Sequence, residues 1–253
     1  MDEFQEFMKE FYKFTGIDLQ SYKRPQMERR LNSLRVKHAF SDFRSLSHAL
    51  KRNSDLLSEF LDRMTINVSE FFRNPERWEA LLPHLQQLSS GRQLKFWSAA
   101  CSTGEEPYTL AMLMEERILR PFQLLATDID RKVLQQAQTG EYKVSQLEKV
   151  PQAYRSKYFT QGTGSGIVKP ILKKSIQYRL HNLLADPYPV SLDLIICRNV
   201  LIYFTDEAKK QVIDGFARAL NPGGLLFVGS TEQLLWTDEN QFQSVSPFIY
   251  RKV

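Results

Sequence analysis

Residues 94–118 read LKFWSAACSTGEEPYTLAMLMEERI, and the organisation of the rest of the chain follows from them. An apolar and aromatic run of strand length comes first. Six residues without a bulky side chain follow at 99–104, so a ligand could approach this backbone closely. Thr103 and Glu106 have the spacing of a helix capping box, and apolar residues then recur at helical intervals. The stretch predicts a strand, a tight turn and a helix.

A second apolar run, QLLATDID at 123–130, places Asp128 at the end of the next predicted strand. In nucleotide-binding βαβ units an acidic residue about 20 residues past the glycine turn holds the ribose hydroxyls. The G-x-G-x-x-G fingerprint is absent, and Glu105 and Glu106 would repel a pyrophosphate at the helix N-terminus. The spacing therefore favours an adenosine ligand without phosphates, of which S-adenosylmethionine is the commonest. The alternative that Glu106 and Asp128 only cap helices stays open.

Further strands are predicted at 176–182, 191–200 and 225–230, with helices between them, and the C-terminal FQSVS and FIYRKV predict an antiparallel hairpin. We therefore expect an α/β fold with a doubly wound, mostly parallel sheet. Polar residues at the strand ends should line one crevice, namely Cys101 to Glu106, Asp128, Asn182, Arg198 and Asn199.

Residues 1–75 show helical periodicity throughout, which predicts an all-α N-terminal domain ahead of a second domain at 76–253. Residues 20–52 contain nine Lys and Arg against two acidic residues, so we expect a cationic patch at this end of the molecule. Such a patch would suit nucleic acid or an acidic protein surface, and the alternative of an ordinary solvated face stays open.

Several classes of protein are not expected from this composition. No apolar run approaches the 18 residues of a membrane span, and the acidic, amphipathic MDEFQEFMKEF is unlike a signal peptide, so we expect a cytoplasmic protein. Cys101 and Cys197 are the only cysteines, and we interpret them as packing residues. The four histidines show no metal-ligand spacing, so no metal site is expected.

Five motifs together resemble one known family. They are TINVSEFFR (65–73), WSAACSTGEEPYTLAM (97–112), ATDID (126–130), HNLL (181–184) and CRNVLIYF (197–204). Over essentially its whole length the sequence resembles CheR, the family of chemotaxis receptor glutamate methyltransferases. The resemblance implies a class I methyltransferase fold that uses S-adenosylmethionine and releases S-adenosylhomocysteine, with a small β-subdomain inserted at about residues 140–180.

The resemblance also implies site residues. The cofactor would be held by Asn67, Ser69, Arg73, Glu106, Asp128, Asn182, Leu183, Arg198 and Asn199. Ser69 stands where a threonine is often found in the family and keeps the hydroxyl. Tyr203 matches the family's active-site tyrosine, and we assign Arg73 and Tyr203 to positioning the substrate carboxylate. Relatives meet the methylation helices of receptors through a basic second helix, which implies substrate contacts for Arg29, Arg30 and Arg35.

This chemistry suits a site without a catalytic base. A glutamate side chain has a pKa of about 4.3, so at neutral pH it is already an anionic nucleophile. We expect chemoreceptor methylation helices as partners, no nucleic acid, no membrane insertion and a monomer. Two alternatives stay open: a nucleic-acid methyltransferase that uses the basic helix, although an N-P-P-Y type motif is lacking, and a non-catalytic module that senses the cofactor. Docking of a receptor C-terminal peptide on the β-subdomain is also left open.

Overall fold

The computed structural model describes residues 2–65, 67–88, 91–234 and 241–253 of the chain. Its N-terminal part is a bundle of four helices, which are α1 (Glu3–Thr15), α2 (Arg24–Lys37), α3 (Phe43–Leu50) and α4 (Ser54–Met64). A 3₁₀ turn, Leu19–Ser21, links the first two. The helices begin where the sequence supplies capping side chains, since Asp2, Asp42 and Asn53 each accept backbone N–H bonds at a helix start.

The bundle has its own hydrophobic core, which is rich in phenylalanine. The apolar face of α1 is buried there, and its rings meet Phe43 and Phe60 of the neighbouring helices. Phe11 and Phe60 have ring centroids 4.7 Å apart. Met27, Leu31 and Leu34 recur at helical spacing and form the buried face of α2.

The remainder is built on a seven-stranded sheet. Its strands are β1 (Leu94–Ala99), β2 (Phe122–Asp128), β6 (Ile176–Leu180), β7 (Leu192–Cys197), β8 (Leu220–Val228), β9 (Phe242–Ser246) and β10 (Ile249–Lys252). Across the sheet they lie in the order β6-β2-β1-β7-β8-β10-β9. The first five pair in parallel, and β10 runs antiparallel to β8 and to β9. The predicted mostly parallel sheet with a C-terminal antiparallel hairpin is therefore confirmed.

Helices cover both faces of this sheet. They are α5 (Pro75–Gln86), α6 (Glu105–Leu113), α7 (Arg131–Thr139) and α11 (Asp206–Ala219), and a π-helical turn at Met114–Ile118 extends α6. Because side chains alternate along a strand, Phe96 enters the cluster beside α5 and α6 while Trp97 enters the one beside α11. Cys101 and Cys197 are buried free thiols, in keeping with a packing role.

A second, three-stranded antiparallel sheet is inserted between α7 and β6. It contains β3 (Glu141–Lys143), β4 (Phe159–Gln161) and β5 (Ser165–Val168) in the order β3-β5-β4, with the short helices α8 (Val144–Leu147), α9 (Gln152–Tyr158) and α10 (Pro170–Lys173). These elements fall in the segment where the sequence resemblance implied a β-subdomain.

The start of α6 differs from the prediction. Gly104, and not Thr103, precedes the first helical residue, and it has a φ of 94°. A Cβ at position 104 would lie 2.7 Å from Cβ of Ala137, so α7 packs against a backbone that only glycine leaves bare. Thr103 donates to the Glu105 carboxylate instead of capping the helix, and the predicted capping box is wrong. The close packing of α7 against Gly104 fixes this turn, and the spacing of residues 103–106 could not predict that contact.

A short β-bridge joins the helical bundle to the sheet domain. Tyr22 pairs with Phe204, the amide of Lys23 donates to the carbonyl oxygen of Tyr203 at 2.8 Å, and the amide of Thr205 donates to that of Ser21 at 2.9 Å. The bundle therefore lies directly against the segment that follows β7.

Candidate active site

The loop after β1 follows an unusual backbone path at the carboxyl edge of the sheet. Ala100 and Ser102 have positive φ values of 63° and 50°, which are uncommon for residues other than glycine. The carboxylate of Asp128 holds this loop, because Oδ2 accepts the Ser102 amide at 2.8 Å while Oδ1 accepts the Asp130 amide at 3.0 Å. Strain of this kind concentrates at ligand sites.

Asp128 is buried at the end of β2, as the sequence predicted for a residue at the crevice. Burial raises the pKa of its carboxyl to about 6, and the backbone hydrogen bonds it accepts oppose that rise. A ribose offers hydroxyl donors, which a buried carboxylate can accept in place of water.

Asp128 faces the first of two adjoining cavities that the predicted site residues line. Its walls are largely apolar, with a few polar groups. The predicted site residues that line it are Asn67, Asp128, Asn182, Leu183, Asn199 and Tyr203. A neutral, flat group such as adenosine suits these walls.

The second cavity adjoins the first, since Ala100, Ser102, Asn199 and Val200 line both. It contains charges of both signs. The predicted site residues around it are Ser69, Arg73, Glu106, Arg198 and Asn199. The amino-acid end of S-adenosylmethionine is a zwitterion, and it needs both an anionic and a cationic partner.

Glu106 supplies the anionic group of the second cavity. The Ser98 hydroxyl donates to its Oε1 at 2.8 Å. Burial raises the pKa of the Glu106 carboxyl to about 7, and the positive charge of Arg198 opposes the rise. An ammonium ion bound here would favour the ionised form.

Arg198 supplies a buried cation. Its Nη2 donates to the Arg73 carbonyl at 3.0 Å and to Oδ1 of Asn74 at 2.9 Å. Its guanidinium lies over the rings of Trp78 and Phe227, and burial lowers its pKa. In the described part of the chain, Nε of Arg198 and the hydroxyl of Ser102 are buried without a hydrogen-bond partner. Both atoms belong to residues around the cavities, as a site built for a polar ligand requires.

The structure thus brings all nine predicted cofactor residues to two adjoining cavities. Asn67 is held by its side-chain amide, which donates to Asp130 at 3.2 Å and to Asp62 at 3.3 Å. The side chain of Asn182 accepts the Leu184 amide at 3.0 Å, which fixes the loop after β6. Their location fits the cofactor, and their individual roles stay predictions.

The three arginines predicted to contact substrate lie in different environments. Arg30 lies over the ring of Tyr203, 5.1 Å from its centroid, and donates to the Met64 carbonyl at 3.2 Å. Arg35 donates to the carbonyl oxygens of Phe40 and Ser41 at 2.8 and 2.6 Å. Arg29 is exposed. Of the three, Arg29 is therefore the side chain best placed to meet a partner.

The predicted cationic patch needs correction. Acidic residues of α1, of its N-cap and of α4 pair with the basic residues of 20–52, and these pairs are Arg24–Asp2, Arg44–Glu6, Lys51–Glu10 and Lys37–Glu59. Residues 2–65 together hold twelve basic and ten acidic residues, a net charge of +2. These acidic partners lie outside residues 20–52, so the net charge of that segment overstates the charge of the folded surface.

Several lining residues were missed by the sequence analysis. Tyr22, Met64 and Thr65 of the helical part line the first cavity, as does His181 after β6. His181 lies within the HNLL motif and could have been included on that ground. Tyr22 and Met64 show only the pattern of ordinary core residues, so no local signal could have identified them.

The part of the chain that the structure describes supports neither a metal site nor a membrane-spanning helix. It contains no group of three or more His, Cys, Asp or Glu side chains arranged to hold a metal ion. Likewise, none of its helices has the length and apolar character needed to cross a bilayer.

Comparison with known families gives two matches. Residues 2–65 match the family model described as CheR methyltransferase, all-alpha domain, and residues 67–250 match CheR methyltransferase, SAM binding domain. The junction between them lies about ten residues before the predicted boundary at 75, which stays a prediction.

Curated proteins similar to this chain carry consistent names. The chain is 44% identical over 242 residues to the chemotaxis protein methyltransferase of Listeria monocytogenes, covering 94% of this chain and 92% of that protein. It is 33% identical to chemotaxis protein methyltransferase 1 of Pseudomonas aeruginosa, covering 98% and 97%. It is 32% identical to the chemotaxis protein methyltransferase of Borreliella burgdorferi, covering 99% and 94%.

Proposed function

This chain belongs to the CheR methyltransferase family, whose catalytic domain binds S-adenosylmethionine, and we propose that it methylates glutamate side chains of chemoreceptors. The products would be glutamate methyl esters and S-adenosylhomocysteine. The observation that carries the proposal is the pair of adjoining cavities, one largely apolar and one with charges of both signs, beside Arg73 and Tyr203.

The donor set fits the cofactor. Asp128 and Asn182 would hold the adenosine end in the first cavity, and Glu106 and Arg198 would hold the ammonium and carboxylate of the amino-acid end in the second. When bound, the cofactor supplies a methyl group on a positively charged sulfur, which passes to a carboxylate oxygen as the carbon–sulfur bond breaks and a neutral thioether is released. The shared wall of the cavities, which includes Ser102, would face the reacting atoms.

The protein then has to align an anion and exclude water, because the carboxylate needs no base to attack. Arg73 lines both the second cavity and an outer groove, so its cation can meet a carboxylate that enters from outside. Tyr203 lines the first cavity. An arginine that held the carboxylate too tightly would stabilise the ground state, so we assign Arg73 and Tyr203 to positioning.

The exposed residues next to the second cavity and on α2 would form the substrate surface. Val68, an apolar side chain that is 68% exposed, lies at the mouth of the second cavity together with Arg73. Arg29 projects from α2, and the next residue of that helix, Arg30, contacts Tyr203. A receptor helix with acidic residues would be attracted by these cations and would bury Val68. We further propose that the enzyme acts as a cytoplasmic monomer.

The reaction can be tested by tritium transfer. The purified protein is incubated with S-[methyl-³H]adenosylmethionine and membranes that contain chemoreceptors, and alkali then releases volatile methanol from carboxyl methyl esters. We expect base-labile label on the receptor, and none when the receptor glutamates in the labelled peptide are replaced by alanine. Arg73→Ala should abolish transfer while S-adenosylhomocysteine still binds. Arg218→Ala, which removes an exposed arginine at the end of α11, is the matched control and should transfer normally.

Other outcomes would point to the alternatives. Label that appears only in added RNA or DNA would overturn the proposal in favour of a nucleic-acid methyltransferase. Tight cofactor binding without any label would favour a non-catalytic module.

A further inference from the structure

Glu232 has a buried carboxylate that lies just beyond the end of β8. Each of its two oxygens accepts two backbone N–H bonds. Oε2 accepts the amides of Asn199 and Gly229, both at 2.7 Å. Oε1 accepts those of Val200 at 2.7 Å and Ile202 at 3.3 Å. Three of these four donors belong to the loop that follows β7.

That loop carries two of the predicted site residues. Asn199 lines both cavities, and Tyr203, which lines the first, follows Ile202 directly. Asn199 has a φ of 61°, in the left-handed region that costs free energy for a residue with a side chain. Such a conformation persists only where the surroundings impose it, and the Glu232 carboxylate is bonded to the amide of this residue.

The opposite side of the loop is fixed by the helical bundle. The Lys23 amide donates to the Tyr203 carbonyl oxygen at 2.8 Å, and Arg30 lies over the Tyr203 ring. Glu232 anchors the loop at its start, and the bundle anchors it at its end. The backbone between Asn199 and Tyr203 is therefore restrained from both sides.

We propose that Glu232 is a positioning residue for methyl transfer, which holds the backbone of residues 199–202 so that Asn199 faces the cofactor and Tyr203 the reacting carboxylate. This inference rests on the proposed function for the role of Tyr203. The proposal that Glu232 places Asn199 requires only that the cofactor binds. In this arrangement Glu232 contacts neither the cofactor nor the reacting carboxylate, and it acts through the backbone of residues 199–202.

Gly229 leaves the space that the Glu232 carboxylate occupies. A Cβ at this position would overlap Oε2 of Glu232 and would lie 2.8 Å from the backbone nitrogen of Asn199. Gly229 does not have a positive φ, so its lack of a side chain, and not its backbone freedom, is what the packing requires. Gly229→Ala would therefore disturb the anchor without changing any charge.

Glutamine cannot replace Glu232. Its side-chain oxygen could accept one pair of amides, but its NH₂ group would then face the other pair, so that its two N–H donors would oppose two backbone N–H donors. Buried donors left without an acceptor destabilise the arrangement that contains them. The loop should therefore leave its present conformation in Glu232→Gln.

The test compares Glu232→Gln and Gly229→Ala with Glu148→Gln, which removes an exposed carboxylate elsewhere. The Kd of S-adenosylhomocysteine is measured by calorimetry, and kcat and KM for receptor methylation are referred to the folded fraction. For both loop variants we expect the Kd to rise about tenfold and kcat to fall about tenfold, with the KM for receptor within about twofold. The control should match the wild type.

A purely structural role would lower the melting temperature and leave kcat per folded molecule and the Kd unchanged, and that result would overturn the inference. If Glu232→Gln fails to fold, Gly229→Ala decides by the same criteria. A wild-type protein that binds S-adenosylhomocysteine but labels no receptor would refute the proposed function. The Kd comparison would still decide whether Glu232 positions Asn199.

A double-mutant cycle tests the route through Tyr203. If Glu232 acts by placing the Tyr203 hydroxyl, Glu232→Gln should reduce kcat much less in a Tyr203→Phe background than in the wild type. Equal reductions in the two backgrounds would contradict that route.

Discussion

The two buried carboxyls of the site predict that cofactor affinity depends on pH. Burial raises the pKa of Glu106 to about 7 and that of Asp128 to about 6 in the free protein. If the ligand's ammonium and ribose hydroxyls bind the ionised forms, both carboxyls must lose their protons before S-adenosylhomocysteine can bind. Affinity should therefore be greatest above about pH 7.5 and should fall as the pH is lowered through the two pKa values.

The magnitude follows from these pKa values. Between pH 8 and pH 5.5 protonation of Glu106 should weaken binding about 30-fold, and protonation of Asp128 about fourfold, which together make about 100-fold. At pH 6, binding should release between about one and one and a half protons.

Calorimetry can measure both quantities. The Kd of S-adenosylhomocysteine is determined across this pH range, and titrations in two buffers of different ionisation enthalpy count the protons released. Glu106→Gln should bind more weakly at pH 8 and lose most of the pH dependence, and Asp128→Asn should lose the smaller part. Glu148→Gln should follow the wild-type curve. A Kd that is constant from pH 8 to 5.5, or a Glu106→Gln curve parallel to that of the wild type, would refute the reasoning.

Three further predictions concern stability and substrate binding. Phe60→Ala should lower the free energy of unfolding by about 3–5 kcal/mol in urea titrations, because the fully buried ring packs against Phe11 and would leave a cavity. Gly104→Ala should cost about 2–4 kcal/mol, since its φ is 94° and the new Cβ would meet Ala137 at 2.7 Å. Arg29→Glu should raise the KM for receptor several-fold, more at low salt than at high salt, and leave the Kd of S-adenosylhomocysteine unchanged.

Each of these three predictions has a result that would contradict it. Gly164→Ala is the control for Gly104→Ala, because Gly164 has a φ of 85° with open space around its Cβ position, so equal losses in the two variants would remove the steric explanation. A loss below about 1 kcal/mol for Phe60→Ala would contradict tight packing of the bundle core. An unchanged KM in Arg29→Glu would place the receptor on another surface.

The sequence was most informative where one segment holds both the pattern and its consequence. Alternation along the β1 segment sends Phe96 and Trp97 to opposite faces of the sheet, and the turn after it leads into α6. The strand ends then brought Asp128 and Arg198 to one edge because parallel strands share a direction. These predictions needed only local periodicity and a topological rule.

The sequence failed where a residue's environment comes from a distant part of the chain. The capping box at Thr103 was overridden by α7, which packs on Gly104. The cationic patch was reduced by acidic residues of α1, of its N-cap and of α4. No local pattern distinguishes Glu232, although its carboxylate accepts the amides of a loop about 30 positions earlier.

The sequence by itself therefore predicted the parallel strands and the C-terminal hairpin, the edge of the sheet at which the candidate site lies, and a set of residues whose motifs resemble a known family. Only the tertiary structure decided which charges are neutralised, which helix start is strained, and that Tyr22 and Met64 help to enclose the first cavity. The physical reason is the separation along the chain between the residues that interact. Hydrophobic periodicity and turn chemistry act over a few residues, whereas burial, pKa and the conformation of Asn199 depend on side chains that only folding brings together.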